Sequence, residues 1–326
     1  MSNEITPMRM LGKSTIAVSE IGFGLWAAGG DSWGATDDQD ILDAIDYTLD
    51  RGVNFYDTAD VYGGGHSEEL LGRAMQGRRQ RFVVATKIGW RDFDGAQGRS
   101  AYTTIAKLIA GVESNLQRLQ TDYIDIIQSH IDFRDPTMEI FLEGFQRLQR
   151  AGKVRAYGVS TSHFDYLQAF NAGDGCATLQ IDYSILNRTP EAEILPYCQA
   201  HNIGVIVRGA LAMGILTGKY TADTRFGEDD WRRRWHENEE EYQIYLQDLA
   251  TVEQLRALTQ ERSLAQLALQ FTLAHPAVST VIPGIKNLRQ AEANLMTAQS
   301  APLAAAELTQ IDALVPPGGG RKIWPA

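Results

Sequence analysis

The chain predicts one (β/α)8 barrel over residues 1–326, with an N-terminal β-hairpin and an extra C-terminal helix. Three observations carry this. From Ile21 onward, about eight short strand-like runs alternate with segments of helical period, the number at which a parallel sheet closes on itself. The runs are apolar and rich in β-branched residues, as strands covered on both faces should be. The rival, an open doubly wound sheet, would want a G-x-G-x-x-G turn after its first strand. Gly22-Phe23-Gly24 lacks the third glycine.

Residues Met8–Ser19 read as a hairpin around Gly12-Lys13, a plug for the bottom of the barrel. Ile21–Trp26 is the first strand. Thr36 is the expected cap of a helix whose apolar positions Ile41, Leu42, Ile45 and Leu49 fall at helical spacing, and Gly52 ends it. Strand Val53–Tyr56 is followed by helix Ser67–Met75, and strand Arg81–Thr86 by a glycine-bearing loop and helix Thr104–Leu119. Strand Tyr123–Gln128 leads to helix Pro136–Ala151, with Pro136 in the first turn. Strand Ala156–Ser160 precedes helix Asp165–Asn171, and strand Thr178–Tyr183 precedes helix Ala192–His201. Strand Gly204–Arg208 opens a long excursion before helix Leu264–His275. Strand Val278–Ile282 and helix Leu288–Thr297 complete the repeat. Outside it lie residues 221–247, charged and aromatic, which read either as a solvated helix or as a lid over the pocket. The tail helix Ala304–Leu314 runs into Pro316-Pro317-Gly318-Gly319-Gly320, expected to be mobile.

Composition narrows the function. A net charge of −11 without a dense basic tract argues against nucleic acid as a partner. No run approaches the ~20 apolar residues of a membrane span, and Met1–Leu11 has no apolar signal core. Only Cys176 and Cys198 are present, outside any metal-ligand or CxxC spacing, which fits a reducing compartment and a cytoplasmic protein. The oligomeric state is open.

In a barrel of this kind, polar residues at the C-terminal ends of the strands face the active site. Those ends carry Asp57 and Tyr62, Lys87, His130, Ser160, Gln180 with Tyr183, Arg208, and Gly284 with Lys286. Each alone reads as a polar turn. Asp57, Tyr62, Lys87 and His130 on three consecutive strands read as a site. No clustering of carboxylates or histidines offers a metal site. A phenol is a weak acid at neutral pH unless its anion is stabilised. An ammonium from Lys87, anchored by Asp57, would do that, while His130 orients a carbonyl oxygen or assists proton donation. Such a set protonates a developing alkoxide, which suits carbonyl reduction beside a bound hydride donor. A Schiff-base lyase using Lys87 is disfavoured, because a lysine paired with Asp57 is held charged.

The order and spacing of several motifs now resemble the aldo-keto reductases along nearly the whole chain. They are GVNFYDTADVYGGGHSEELLG from Gly52, ATKIG from Ala85, IDIIQSH from Ile124, GVS from Gly158, LQIDYSILNR from Leu179, LAMGILTGK from Leu211 and IPGIKNLRQAEAN from Ile282. The resemblance implies a metal-free (β/α)8 barrel binding NADPH, or less often NADH, across its rim. It implies Tyr62 as proton donor, Lys87 and Asp57 lowering its pKa, and His130 placing the substrate carbonyl. Ser160 and Gln180 would bind the nicotinamide carboxamide. The loop with Leu211, Gly214 and Lys219 would cover the pyrophosphate. Gly284, Lys286, Gln290 and Asn294 would hold the adenosine end, with Lys286 and Arg289 meeting a 2′-phosphate and so favouring NADPH.

Three positions depart from that pattern. Thr161 stands where many members have Asn, Arg208 where many stack an aromatic ring on the nicotinamide, and Gly209-Ala210 where Ser-Pro is usual. Trp26, counted among the cofactor contacts, would with Trp90, Phe133 and Trp231 wall an apolar or aromatic pocket for an aldehyde or ketone. The alternative to a carbonyl reductase is a nicotinamide-binding regulatory subunit with little turnover.

Overall fold

The computed structural model describes residues 6–91, 93–94, 99–133, 137–259 and 262–322. A hairpin opens it, β1 (Met8–Met10) pairing antiparallel with β2 (Ala17–Ser19). Then come β3 (Phe23–Gly24), α1 (Asp38–Leu49), β4 (Phe55–Asp57), α2 (His66–Met75) and β5 (Val83–Ile88). A two-rung hairpin, β6 (Phe93–Asp94) with β7 (Arg99–Ser100), precedes α3 (Ile105–Leu119). The repeat continues through β8 (Ile124–Ser129), α4 (Thr137–Arg150), β9 (Val154–Ser160), α5 (Phe164–Phe170), β10 (Thr178–Asp182) and α6 (Ile194–Ala200). After β11 (Gly204–Arg208) come α7 (Glu239–Arg256), α8 (Leu264–Ala274), β12 (Val278–Val281), α9 (Leu288–Gln299) and α10 (Ala305–Leu314).

The large sheet is parallel, in the order β3-β4-β5-β8-β9-β10-β11-β12. Parallel bridges Ile21 to Val281 and Gly24 to Gly284 join its two edges. At that seam a Cβ on Gly24 would sit 2.6 Å from the Ile282 carbonyl oxygen, so glycine is what lets the backbones meet. Inside the barrel, Phe55, Val83, Ala85, Ile126, Ala156, Ile206 and Ile282 pack on Leu11, Ile16 and Val18 of the hairpin. The hairpin is the expected plug. Gly12, at φ +52°, sits where a Cβ would lie 2.2 Å from the Gly204 amide nitrogen. The strand register then aligns Lys87 with Gln128, Ser160 with Gln180, and Asp182 with Arg208, all near the C-terminal ends.

Several local expectations are corrected. Asp37, not Thr36, caps α1, its Oδ1 accepting from the Gln39 amide at 2.8 Å and the Asp40 amide at 3.2 Å. The loop before α3 contains the β6–β7 hairpin, and Pro136 lies outside the described residues. The glycine tail is pinned: Gly319 O accepts from the Arg188 amide at 2.9 Å, and Gly320 bridges Asn187. The excursion folds as a 3-10 turn, Trp231–His236, running into α7. It is tied to the loop after β3 by an antiparallel bridge between Trp33 and Asp230 and by the Trp231 amide donating to Ser32 O at 3.1 Å. No helix among the described residues is long and apolar enough to cross a membrane.

Candidate active site

Asp57 ends β4 and Lys87 lies on β5, both buried. Lys87 Nζ donates to Asp57 Oδ1 at 2.6 Å, to Thr58 O at 2.9 Å and to the Tyr62 hydroxyl at 3.2 Å. On its other side, Asp57 Oδ2 accepts from Gln180 Nε2 at 2.7 Å. Gln180 therefore anchors the carboxylate, a task that strand position alone did not reveal. Burial works against the Lys87 charge, but Asp57 and then Tyr62 outweigh it and raise its pKa. For Asp57 burial prevails over Lys87 and raises the carboxyl pKa.

Tyr62 differs from expectation in the same way. Lys87 does lower its pKa, yet burial is the larger influence and Asp57 opposes Lys87, so the phenol lies above its ordinary value. It is held as the protonated acid. The residue opens a 3-10 turn, Tyr62–Gly65, whose glycines do not serve as slack. Instead, a Cβ on Gly63 would lie 2.3 Å from Gly29 O, and one on Gly65 2.5 Å from the Arg118 side chain. Gly63 and Gly29 pack backbone against backbone, which fixes Tyr62 against the turn that begins at Trp26. The Trp26 and Tyr62 rings stack with centroids 5.9 Å apart.

His130 follows β8 and is 6% exposed. Burial pushes its pKa down to about 4, Lys87 and Arg208 adding to the effect and Asp60 opposing it. The ring is neutral at physiological pH.

Tyr62 and His130 open on a cavity of about 270 Å³ together with Ser160, Gln180 and Arg208. Burial lowers the Arg208 pKa, with Asp182 the main opposing influence. Trp26, Trp90 and Trp231 wall the cavity, together with Asp31, Ser32 and Val61, which the sequence did not mark. Phe133 is not in the wall. It is fully buried and stacks on Phe141 at 4.9 Å, beside Gly89 (φ +127°), whose missing Cβ would lie 2.3 Å from the Phe133 ring. The ring turns into the core because that glycine admits it. Tyr183 also leaves the site, its hydroxyl donating to Glu191 at 2.7 Å.

Leu211 and Gly214 lie in the turn after β11, where Ala212, Met213 and Gly214 follow one another at positive φ. Lys219, Lys286 and Arg232 gather around Asp230; burial and then Arg232 lower the pKa of both lysines. Lys286 Nζ donates to Trp33 O, and the Lys286 amide to Gln290 Oε1 at 2.8 Å. Gly284 is open, with no atom among the described residues within 4 Å of a Cβ built there. Asn294 is buried with its Nδ2 lacking a hydrogen-bond partner among the described residues. A cation cluster at one end and an orphaned amide donor beyond it fit a phosphorylated nucleotide. Arg289 is exposed.

The model of the aldo/keto reductase family matches residues 20–316. Aldo-keto reductase YhdN of Bacillus subtilis (strain 168) is 35% identical over 287 residues, covering 85% of this chain and 84% of the relative. Aldo-keto reductase AKR11C1 from Bacillus halodurans, in its holo form, superposes with a TM-score of 0.78 at 33% identity, over 95% of this chain and 96% of the other. An aldo/keto reductase from Klebsiella pneumoniae, solved in complex with NADP and acetate, gives 0.70 at 27% identity, over 96% of each. A match over most of the sequence and over the fold leads to one conclusion: the chain belongs to the aldo/keto reductase family.

Proposed function

We propose that the chain is an NADPH-dependent carbonyl reductase acting on an aldehyde or ketone, with Tyr62 as the general acid. The observation that carries this is the buried relay Asp57–Lys87–Tyr62, at 2.6 and 3.2 Å, ending at the cavity that His130 shares. When bound, NADPH supplies the hydride to the carbonyl carbon. The side chains supply the rest. Tyr62 gives its hydroxyl proton to the carbonyl oxygen, Lys87 stabilises the phenolate left behind, and Asp57, steadied by Gln180, keeps Lys87 charged. Neutral His130 holds the polar end of the substrate beside Tyr62.

Ser160 and the carbonyl oxygen of Gln180 would bind the nicotinamide carboxamide, and Arg208 would stack in the same space. Trp26 would border the ring. Leu211, Gly214 and Lys219 would hold the pyrophosphate, and Gly284, Lys286, Gln290 and Asn294 the adenosine end. A structural relative in complex with NADP supports the choice of cofactor, and NADH is the lesser alternative. Residues 221–247 would act as a lid, with Trp90 and Trp231 contacting substrate.

Tyr62→Phe tests the reading. Reduction of an aldehyde panel should fall by at least about a hundredfold in kcat, with NADPH affinity within about twofold, because the lost hydroxyl acts in the transition state. Parent-like turnover by the variant would remove Tyr62 from the role. A wild-type protein that binds NADPH tightly and reduces nothing would point to a regulatory subunit.

A further inference from the structure

Tyr62 and Lys87 are both reached from outside the barrel by one arginine. Side chains alternate along β5: Ala85 packs inside and Lys87 shares its face, so Thr86 faces the helices. There the Thr86 hydroxyl donates to Glu68 Oε1 at 2.5 Å, and Glu68 Oε2 accepts from Arg118 Nε at 2.7 Å. Glu68 is fully buried in the first turn of α2, and the Arg118 side chain, near the end of α3, is 15% exposed. Burial pushes the Glu68 pKa up to about 7, with Arg118 the main opposing influence.

Two contacts run from Arg118 towards the site. The first meets the turn that carries Tyr62. A Cβ on Gly72 would lie 2.6 Å from Arg118 O, so α2 and α3 meet backbone to backbone. The arginine stem then passes against Gly65, whose missing Cβ would lie 2.5 Å from its Cδ. Gly65, at φ +109°, ends the turn that Tyr62 opens. The second contact meets Lys87. Asn115 lies three residues before Arg118 and so on the same face of α3. Its Oδ1 accepts from Arg118 Nη2 at 3.0 Å, and its Nδ2 donates to Lys87 O at 3.3 Å. None of Glu68, Asn115 and Arg118 lines the cavity.

We infer that Arg118, oriented by Glu68, is a positioning residue that sets the Tyr62 hydroxyl against Lys87. Its stem props the Gly65 end of the acid's turn, and its outer arm, through Asn115, steadies the backbone of the lysine. One side chain thus fixes both ends of the 3.2 Å contact between Lys87 Nζ and the Tyr62 hydroxyl. The kinetic consequence rests on the reductase reading. A control of equal build stands at the other end of β5. The Arg79 side chain, 16% exposed, donates to the buried Asp125 at 2.7 Å, where β5 and β8 begin rather than where they deliver Lys87 and His130.

Glu68→Gln together with Arg118→Met removes the pair without leaving a lone buried charge. Measurements are made at about pH 8, where the Glu68 carboxylate is ionised. NMR of the full chain with tyrosine labelled with 13C at Cζ reads the phenol without turnover, Tyr62 being assigned by the signal lost in Tyr62→Phe. In the double variant the Tyr62 signal should shift while those of the buried Tyr166 and Tyr245 stay in place. With NADPH and the aldehyde panel, kcat per bound nucleotide should fall by about 10- to 100-fold, with NADPH affinity and binding stoichiometry within about twofold. Asn115→Ala keeps the ion pair and cuts only the link to Lys87. It should move the same signal and lower kcat several-fold, and it decides the matter if the double variant does not fold. Arg79→Met, with Asp125 still paired to Arg155 at 2.6 Å, should leave both the Tyr62 signal and kcat as in the wild type. A Tyr62 signal unmoved in the Arg118 and Asn115 variants overturns the inference. So do losses of kcat that match Arg79→Met or that track a loss of nucleotide sites, because those mark a structural role. If the wild type reduces no carbonyl at all, the reductase reading fails while the Tyr62 signal still reports on Arg118.

Discussion

Replacing Asp57 by Asn should destabilise the protein at neutral pH and lose much of that penalty as pH rises. Asp57 and Lys87 are 2% and 0% exposed, and their contact is 2.6 Å long. Asparagine removes the charge but keeps the shape and an acceptor oxygen, and Lys87 retains Thr58 O at 2.9 Å. The loss should therefore fall at the low end of the range for breaking a buried ion pair, about 3 kcal/mol. For 326 residues the entropy of unfolding is roughly 0.7 kcal/mol/K, so Tm falls by about 4 °C. In the wild type the folded-state pKa of Lys87 is raised above its ordinary value of 10.5. Its contribution is full below that value and fades only as pH climbs through the folded-state pKa. Without Asp57 the largest remaining influence is burial, which lowers the pKa. The native variant then binds fewer protons than its unfolded chain between the lowered pKa and 10.5, and it gains stability with pH across that window. Urea unfolding of both proteins at pH 7 and pH 9.5 measures the gap. A gap that stays constant would refute the argument that an uncompensated Lys87 charge causes the loss.

Two further perturbations probe the loops. Gly63→Ala puts a Cβ 2.3 Å from Gly29 O at φ +58°, whereas Gly64→Ala, at φ +63°, meets no described atom within 4 Å. The first should displace Tyr62 and lower kcat on the order of 100-fold, while the second should cost only about 1 kcal/mol of backbone strain with kcat preserved; equal effects would mean that the close approach does not position the acid. Lys286→Ala should weaken NADPH binding by roughly 10- to 100-fold, the worth of a charge-assisted hydrogen bond, and leave NADH nearly unchanged. Calorimetric titration with both nucleotides decides it, and equal losses would take the 2′-phosphate away from Lys286.

The residues legible in the sequence were those whose placement follows from strand register. Asp57, Lys87, His130, Ser160, Gln180 and Arg208 each lie at or just beyond the end of an apolar run, and in a closed parallel barrel that fact alone sends them to one rim. What the sequence hid depends on one loop meeting another. Asp31 and Ser32 carry no periodic signal, and they reach the cavity wall because the strip after β3 pairs with the excursion at Trp33 and Asp230. Phe133 was misread because Gly89, forty-four positions earlier, leaves a hole that the ring fills. Gly63 and Gly320 look like slack locally and act as contact points in the fold, where only a missing Cβ lets two backbones touch. Tyr62 belongs to both groups. Its motif marks it, but its position is set by Gly29 and Gly63 rather than by the strand. Asp57 and Lys87 thus lie on strands, while part of the cavity wall, Trp26, Asp31, Ser32 and Trp231, comes from the strip after β3 and from the excursion. On the proposed reading, substitution in those two segments should change which carbonyl is accepted while leaving Asp57, Lys87 and His130 in place, and a change at the Gly29–Gly63 contact should alter specificity and chemistry together.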